Sequence, residues 1–158
     1  MITRTGIGYD SHRFAPGGPL RLGGVDIPSD RHLVAHSDGD AVCHAVTDAL
    51  LGASALGDIG ALFPDTASEN KGRDSVDMLT RAMDAVGRAG FTLSNIDVTV
   101  IAESPKVGPW RDAIRARLAA ALGLDIGAVS IKGKTNEGMG WIGRGEGLAC
   151  IAVATIQR

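Results

Sequence analysis

The sequence predicts an α/β protein of the α+β type, with helices packed on one side of a mixed β-sheet. The N-terminal segment and several later segments have the short apolar or alternating patterns that are typical of strands. Three longer segments between them are rich in helix-forming residues and have cap and stop signals at their ends. The predicted order is strand, hairpin, helix, helix, strand, helix, strand, strand. A length of 158 residues is typical of one domain, here residues 1–158.

The first third of the chain is predicted to form a strand, a hairpin and a long helix. The strand covers residues 3–9 and ends at a turn made by Asp10-Ser11-His12. A hairpin follows, with strands over residues 20–22 and 25–27 on either side of two glycines. Residues 38–56 form the clearest helix, which Asp38 or Asp40 can cap.

The rest of the chain contains two further helices and three strands. A glycine stop at residues 57–60 ends the first helix, and a loop rich in polar residues follows it. Proline at position 109 suits the first turn of the last helix, and Gly123 suits its end. The predicted elements are a helix over 75–89, a strand over 96–101, a helix over 109–122, and strands over 129–132 and 147–156.

Composition excludes several classes of function. A net charge of −2 gives no basic surface for nucleic acid or an anionic membrane. No apolar run is long enough to span a bilayer, and a strand pattern begins at once, so neither a membrane span nor a signal segment is expected. Cys43 and Cys150 lie in apolar contexts and are expected to be buried, reduced thiols, which fits a cytoplasmic protein.

Two short patches concentrate histidine and aspartate. Asp10 and His12 form the first, and His36 begins the second, which leads to His44. Three of the four histidines of the chain lie in these patches. Imidazole nitrogens and carboxylate oxygens are zinc ligands, and three of them leave a fourth position open for catalysis. Asp10, His12 and His44 are therefore the predicted ligands of a catalytic metal ion.

The helix that carries His44 offers two interpretations. Asp40, His44 and Asp48 are spaced by four residues, so they share one face. The acids either orient a metal-binding imidazole or form a solvated face with favourable charge pairs. Cys43 is not expected to share the ion, because adjacent helical residues point about 100° apart.

The C-terminal half contains groups suited to phosphate. Lys106, Lys132, Lys134 and Arg144 lie in predicted loops or strand ends, near a glycine-rich segment. A lone carboxylate at Glu137 is suited to hold a Mg²⁺ ion that phosphate oxygens also bind. No phosphate-binding loop of the nucleotide hydrolases, dinucleotide fingerprint or nucleophile motif is present. These features point to metal-assisted phosphoryl transfer without a covalent intermediate.

Several long motifs in separate parts of the chain identify a family. They are Gly8-Tyr9-Asp10-Ser11-His12-Arg13-Phe14, His36-Ser37-Asp38-Gly39-Asp40 through His44, Thr47-Asp48-Ala49-Leu50-Leu51-Gly52, Ala55-Leu56-Gly57-Asp58-Ile59-Gly60, Phe63-Pro64-Asp65-Thr66 and Gly143-Arg144-Gly145-Glu146-Gly147. With these motifs the chain resembles the 2-C-methyl-D-erythritol 2,4-cyclodiphosphate synthases of the non-mevalonate isoprenoid pathway over essentially its whole length. Departures from the family pattern are small: Trp141 stands where phenylalanine is more usual, and Gly133-Lys134 stands where Ala-Thr is common.

The resemblance implies a substrate, 4-diphosphocytidyl-2-C-methyl-D-erythritol 2-phosphate, whose 2-phosphate attacks the β-phosphorus and releases CMP. It implies Zn²⁺ or a similar divalent ion at Asp10, His12 and His44, and Mg²⁺ or Mn²⁺ held by Glu137 with the substrate phosphates. His36 and Thr135 match groups that stabilise the transition state. The implied substrate-binding positions are Asp10, His12, His36, Ser37, Asp58, Ile59, Gly60, Phe63, Pro64, Asp65, Thr66, Ala67, Ala102, Lys106, Val107, Gly108, Lys134, Thr135, Asn136, Glu137, Trp141 and Arg144.

The family forms homotrimers with the active site between neighbouring subunits, so the same assembly is expected here. Arg144 and Glu146 are alternatively candidates for ordering the centre of the trimer. Two other functions remain open at this point. One is a metal-dependent phosphohydrolase, in which water replaces the phosphate nucleophile. The other is a trimer that binds a metal or a nucleotide without turnover.

Overall fold

The computed structural model covers all 158 residues and confirms a mixed sheet with helices on one side. Its strands are β1 (Thr3–Pro16), β2 (Leu20–Leu22), β3 (Val25–Ile27), β4 (Arg31–Leu33), β5 (Thr92–Ile101), β6 (Val129–Lys134) and β7 (Gly147–Gln157). Its helices are α1 (Ala41–Ser54), α2 (Ile59–Leu62), α3 (Ser75–Arg88), α4 (Arg111–Leu122) and α5 (Gly140–Gly143). Single 3₁₀ turns cover Ser68–Asn70, Gly108–Trp110 and Ile126–Ala128. No helix combines the length and the apolar character that crossing a bilayer requires.

Five strands form the main sheet in the order β4-β1-β7-β5-β6. The β5–β6 pair is parallel, and the other neighbouring pairs are antiparallel. The sequence supplies a long crossover through α4 between β5 and β6, as a parallel pair requires. The β2–β3 hairpin forms a separate two-stranded sheet.

The strand β1 is longer than predicted and places two of the predicted metal ligands. Its ladder with β7 runs without interruption from Thr3 opposite Gln157 to Arg13 opposite Gly147. The prediction of a turn at residues 10–12 is therefore wrong, because pairing with β7 overrides the local turn composition. Alternate residues of a strand share a face, so Asp10 and His12 point to the same side of the sheet.

The two faces of the sheet differ in what covers them. Gly6 and Gly8 are buried beneath α1, on the face that also carries Asp10 and His12. On the opposite face no helix packs, and Ile7 and Tyr9 are 70% and 55% exposed. Two large apolar side chains are therefore exposed on the helix-free face, and exposed apolar patches commonly mark a surface that contacts another molecule.

The ends of the helices follow partly from the sequence. Asp40 caps α1 by accepting a hydrogen bond from the backbone N–H of Cys43, so Asp38 is not the cap. Ala55, with φ of 59°, ends α1 in the left-handed conformation. The predicted glycine stop is thus displaced, because Ala55 already returns its N–H to Gly52 and Leu51. The strand β4, the short helices α2 and α5, and the first four residues of β5 were not predicted.

Candidate active site

Three side chains from β1 and α1 meet above the sheet. The Asp10 Oδ2 atom lies 2.7 Å from His12 Nε2 and 3.0 Å from His44 Nδ1. The two imidazole nitrogens are 3.2 Å apart. Asp10, His12 and His44, the predicted metal ligands, therefore form one compact cluster, and they are the group in the structure with the spacing of a metal site.

The second nitrogen of each imidazole has its own partner. Nδ1 of His12 lies 3.0 Å from the carbonyl oxygen of Val34, which can only accept, so that nitrogen donates. The other nitrogen, Nε2, then directs its lone pair at the cluster. Nε2 of His44 lies 2.7 Å from the hydroxyl of Ser75 and 3.0 Å from that of Ser37. In both rings, the nitrogen that points away from the cluster thus has a polar partner, as is usual for histidines that bind metals.

The donor set fits a divalent ion of the zinc type. Bonds of about 2.0–2.1 Å in a tetrahedron place neighbouring ligand atoms about 3.3 Å apart, slightly more than the separations here. Two imidazole nitrogens and a carboxylate oxygen leave one coordination position for a substrate oxygen. A cation at this point also relieves the repulsion between the facing lone pairs of the two histidines. The residues present therefore fit a bound divalent ion.

The cluster shifts the pKa values of two of its members in opposite directions. Burial alone would raise the pKa of Asp10, but hydrogen bonds and charge from His12 and His44 outweigh it and lower that pKa. Burial alone would lower the pKa of His44, but its hydrogen bond to Asp10 and the charge of Asp10 raise it. The cluster therefore favours the carboxylate form of Asp10, which is the form that binds a metal.

The other residues of the α1 face have structural roles. Asp40 is fully buried and accepts hydrogen bonds from the backbone N–H groups of Gly23, Gly24 and Cys43. Asp48 accepts one from the N–H of Ile59. Neither side chain hydrogen bonds to His44, so the interpretation that they orient this imidazole directly is wrong. The alternative of a solvated face is wrong for Asp40, which is fully buried.

The two thiols are buried and free, as predicted. Burial raises the pKa of Cys43 well above its usual value, and the same cause acts on Cys150. A thiol held in its protonated form is a poor metal ligand. The clustered ligand atoms do not include the Cys43 thiol, although Cys43 directly precedes His44.

A cavity of about 330 Å³ opens beside the cluster of Asp10, His12 and His44, and its volume is within the range of small-molecule sites. Nε2 of His36 is buried at this cavity without a hydrogen-bond partner. A buried donor or acceptor of this kind is costly unless a ligand pairs with it. The residues that line the cavity are Asp10, His12, Ala35, His36, Ser37, His44, Ile59, Gly60, Phe63, Asp65, Asn70 and Met78.

A second cavity, of about 470 Å³, lies between the end of β5, the end of β6 and the start of α4. The residues that line it are Val100, Ala102, Pro105, Lys106, Val107, Gly108, Pro109, Arg111, Gly133, Lys134 and Thr135. Next to it, the Glu103 carboxylate accepts hydrogen bonds from the backbone N–H groups of Asn136 and Gly138. Glu103 thereby fixes the loop that carries Glu137.

The remaining predicted positions lie around these cavities. Asp58 caps α2 through the N–H of Ala61, and Pro64, Thr66 and Ala67 follow α2 in the loop beside Phe63. Trp141 lines a small cavity with His12 and Glu146, and the Arg144 guanidinium forms an ion pair of 2.8 Å with Glu146.

Glu137 is exposed, has φ of 53°, and lies outside the metal cluster. In one chain, the predicted metal-side and nucleotide-side positions line two different cavities.

Several residues of these sites were not predicted. Ser75 touches His44, and Asn70 and Met78 line the metal-side cavity. Arg111 lines the nucleotide-side cavity, and Glu103 supports its neighbouring loop. A polar residue at the start of a helix was the only local signal for Ser75, and it indicated a helix cap rather than a contact to a ligand.

Fold and site together define an α/β protein in which a mixed sheet presents an Asp-His-His cluster, close enough to hold a metal ion, beside a cavity. The model of the YgbB family matches residues 3–157 of the chain. The chain therefore belongs to the YgbB family.

Relatives of known name agree with this assignment. The chain is 64% identical to the 2-C-methyl-D-erythritol 2,4-cyclodiphosphate synthase of Gemmatimonas aurantiaca over 99% of this chain and 94% of that protein. A solved 2C-methyl-D-erythritol-2,4-cyclodiphosphate synthase in a CDP-bound form is similar with a TM-score of 0.90 and 40% identity, over 98% of this chain and 100% of that one. The bifunctional IspDF of Campylobacter jejuni is similar with a TM-score of 0.95 and 43% identity, over 98% of this chain but only 42% of that one.

Proposed function

We propose that this protein converts 4-diphosphocytidyl-2-C-methyl-D-erythritol 2-phosphate to 2-C-methyl-D-erythritol 2,4-cyclodiphosphate and releases CMP. The enzyme is a phosphorus–oxygen lyase of the non-mevalonate isoprenoid pathway, and residues 1–158 act as one catalytic domain. The observation that carries this proposal is the Asp10, His12 and His44 cluster beside a cavity, in a chain of the YgbB family. Relatives that carry the synthase name match nearly the full length of the chain.

The chemistry of the substrate explains why the site has no base beside a nucleophile. The attacking 2-phosphate is already largely dianionic at neutral pH, because its second pKa is about 6. Its oxygen forms a bond to the β-phosphorus as the bond from that phosphorus to the CMP oxygen breaks. Attack within one molecule requires positioning rather than activation of water. When bound, the divalent ions neutralise the phosphate charges and polarise the reacting phosphorus–oxygen bonds.

We assign the metal-side roles to residues of the first cavity. Asp10, His12 and His44 hold an ion of the zinc type, and Glu137 holds Mg²⁺ or Mn²⁺ together with the substrate phosphates. The buried, unpaired Nε2 of His36 is suited to pair with a phosphate oxygen in the transition state. Ser37 contacts the same phosphate, and residues 58–60 and 63–67 bind the methylerythritol part.

We assign the nucleotide-side roles to the second cavity. Ala102, Lys106, Val107, Gly108 and Lys134 surround the cytidine and its phosphates. Thr135 stabilises the transition state, and Asn136, Trp141 and Arg144 contribute further substrate contacts. Lys106 and Lys134 supply the positive charge that a diphosphate requires at such a site.

We infer that the active enzyme is a homotrimer, with each site built from the metal-side cavity of one subunit and the nucleotide-side cavity of its neighbour. Two features support this assembly. The two cavities are separate within one chain, and the helix-free face of the sheet exposes Ile7 and Tyr9 opposite Val153 and Ile151. Sedimentation equilibrium should give three times the chain mass of 16.3 kDa. A monomer at assay concentrations would contradict the shared site.

Phosphorus NMR of the reaction tests the proposed function. The purified protein is incubated with the diphosphocytidyl substrate, with and without EDTA. The expected result is CMP together with the signals of a cyclic diphosphate, both lost with EDTA and restored by zinc and magnesium. CMP with an open-chain phosphate would favour a phosphohydrolase instead. No turnover despite bound zinc would leave a binding protein and remove the proposed activity.

A further inference from the structure

A chain of hydrogen bonds joins the imidazole of His44 to the Ser75 hydroxyl and the Asp38 carboxylate, on the side of the ring away from Asp10. The Ser75 hydroxyl lies 2.7 Å from His44 Nε2 and donates a short hydrogen bond to the Asp38 carboxylate. The backbone N–H of Ser75 donates to the other oxygen of Asp38 at 3.0 Å. Ser75 begins α3 and Asp38 precedes α1, so this line joins two helices behind the metal cluster.

The available hydrogen atoms determine which groups donate and which accept in the hydrogen bonds that join His44, Ser75 and Asp38. The Asp38 carboxylate also accepts the N–H of Asp40, and the Arg21 guanidinium lies 3.8 Å from it. Both oxygens of Asp38 thus receive hydrogen bonds from donors of the protein, and a carboxylate can only accept hydrogen bonds. The single hydroxyl proton of Ser75 therefore goes to Asp38. Its oxygen is then free to accept the N–H of His44 Nε2, which leaves Nδ1 directed at Asp10 and His12.

The other hydroxyl near His44, that of Ser37, does not determine whether His44 Nε2 donates or accepts. Ser37 lies 3.0 Å from Nε2, and its further contact is with the backbone N–H of Gly39 at 3.5 Å. Because that contact uses no hydroxyl proton, the Ser37 hydroxyl is free to donate or to accept. Ser75 differs because its proton is committed to a carboxylate and because it is fully buried.

We propose that Ser75 and Asp38 are positioning residues of the metal site, which hold His44 with Nε2 protonated and Nδ1 aimed at the ion. Through Ser75, the negative charge of Asp38 increases the electron density that Nδ1 offers to the ion. Neither residue lines the cavity beside the metal cluster, so both act through His44. This inference rests on the metal site of the proposed function but not on the identity of the substrate.

Zinc affinity tests the proposal without any measurement of turnover. Zinc binding to the metal-free protein is measured by competition with a chromophoric chelator. Partners of this kind contribute about 10- to 100-fold to metal affinity. Because Ser37 remains near Nε2, Ser75→Ala is expected to weaken zinc binding about tenfold. Ser54→Ala is the matched control, since Ser54 is buried in α1 and its hydroxyl bonds only to backbone carbonyls of Leu50 and Leu51.

A spectroscopic measurement separates positioning from helix stability. In the zinc-bound protein, proton NMR with ¹⁵N-labelled histidine should show a His44 Nε2–H that exchanges slowly with solvent. Ser75→Ala should accelerate this exchange, whereas Ser54→Ala should leave it unchanged. A loss of thermal stability in Ser75→Ala without a change in exchange or zinc affinity would assign Ser75 to the helix alone and overturn the proposal.

Asp38→Asn is a second variant, in which Ser75 is retained. It tests the proposal independently if Ser75→Ala does not fold. An amide can donate to the Ser75 oxygen, so the Ser75 hydroxyl is no longer required to accept the N–H of His44. Zinc affinity should fall in this variant as well, and an unchanged affinity would overturn the proposal. If the variants lose zinc affinity but the natural protein does not cyclise the substrate, this inference stands and only the proposed function fails.

Discussion

Gly8 of β1 lies directly against the backbone of Ala45 in α1: a Cβ atom on Gly8 would stand 1.8 Å from the Ala45 carbonyl oxygen. Real carbon and oxygen atoms do not approach so closely, so only glycine lets the helix come this near to the strand. The same strand carries Asp10, and the same helix carries His44. The close approach therefore sets the 3.0 Å distance between their side chains.

Gly8→Ala is accordingly expected to damage both the fold and the metal site. The added methyl group pushes α1 away from β1 and lowers the free energy of unfolding by about 1–3 kcal/mol. Because His44 moves with α1, zinc affinity should fall as well. Thermal unfolding and chelator competition measure the two effects.

Gly52→Ala is the control for this substitution on the same helix. A Cβ atom at Gly52 meets nothing closer than 3.8 Å, and alanine stabilises a helix interior by about 1 kcal/mol relative to glycine. This variant should be at least as stable as the natural protein. Equal stability of the Gly8→Ala and natural proteins would contradict the tight packing of α1 on β1.

His44→Ala should abolish zinc retention and turnover while the protein stays folded, because His44 is one of the three proposed ligands and lies at the edge of a cavity. Metal content after dialysis and circular dichroism measure the two properties. His32→Ala is the matched control, since His32 is exposed and its side chain hydrogen bonds only to the carbonyl of Gly17. Normal zinc content in the His44 variant would refute the ligand assignment.

Zinc affinity should fall as the pH is lowered, beginning above pH 6.5. The pKa of His44 is raised above its ordinary value of 6.5, so zinc must displace a proton from this imidazole in weakly acidic solution. The pKa of Asp10 is lowered below its ordinary value of 3.8, so Asp10 contributes no proton in this range. Calorimetry in buffers of different ionisation enthalpy counts the protons released. Binding without proton release at pH 6 would contradict the assignment.

The metal-free protein should show a related dependence of stability on pH. The raised pKa of His44 contributes stability below pH 6.5 that is lost as the pH rises through the folded-state pKa. The lowered pKa of Asp10 contributes stability above pH 3.8 that is lost as the pH falls through its folded-state pKa. Their joint contribution is therefore greatest between these two ordinary values. Urea unfolding of the natural and His44→Ala proteins across pH 3–9 should show the difference in this window.

Lys106→Ala should weaken CMP binding about fivefold, because an exposed charged contact to phosphate is worth about 1 kcal/mol. Lys71→Ala, an exposed lysine outside the nucleotide-side cavity, should bind CMP normally. Calorimetric titration with CMP compares the two variants. Equal affinities would remove Lys106 from the proposed nucleotide site.

The clustering of Asp10, His12 and His44 could be predicted from the sequence, because few residues of the chain have this chemistry. Only four histidines are present, and the two that meet Asp10 in the structure come from separate patches that also contain aspartates. The cavity of Lys106 and Thr135 also agrees with the resemblance to the synthase family. For Asp10, His12 and His44 the residue types themselves indicate the chemistry, whereas Thr135 was expected only from the resemblance to the synthase family.

The supporting contacts could not be predicted, because they join segments that are distant in the chain. Ser75 reaches His44 only because α3 packs against α1, and Glu103 meets the loop at Asn136 across 33 positions. The residues of β1 from 10 to 12 have the composition of a turn, and only their ladder with β7 keeps them extended. Tertiary pairing decides such cases, and local sequence does not encode it.

The source of the oxygen in the products tests the central claim most directly. The reaction is run in water enriched in ¹⁸O, and both products are analysed by mass spectrometry. Attack by the 2-phosphate of the same molecule brings in no solvent oxygen, so CMP and the cyclic diphosphate should both be unlabelled. One ¹⁸O atom in either phosphorylated product would show that water is the nucleophile and would contradict the proposed cyclisation.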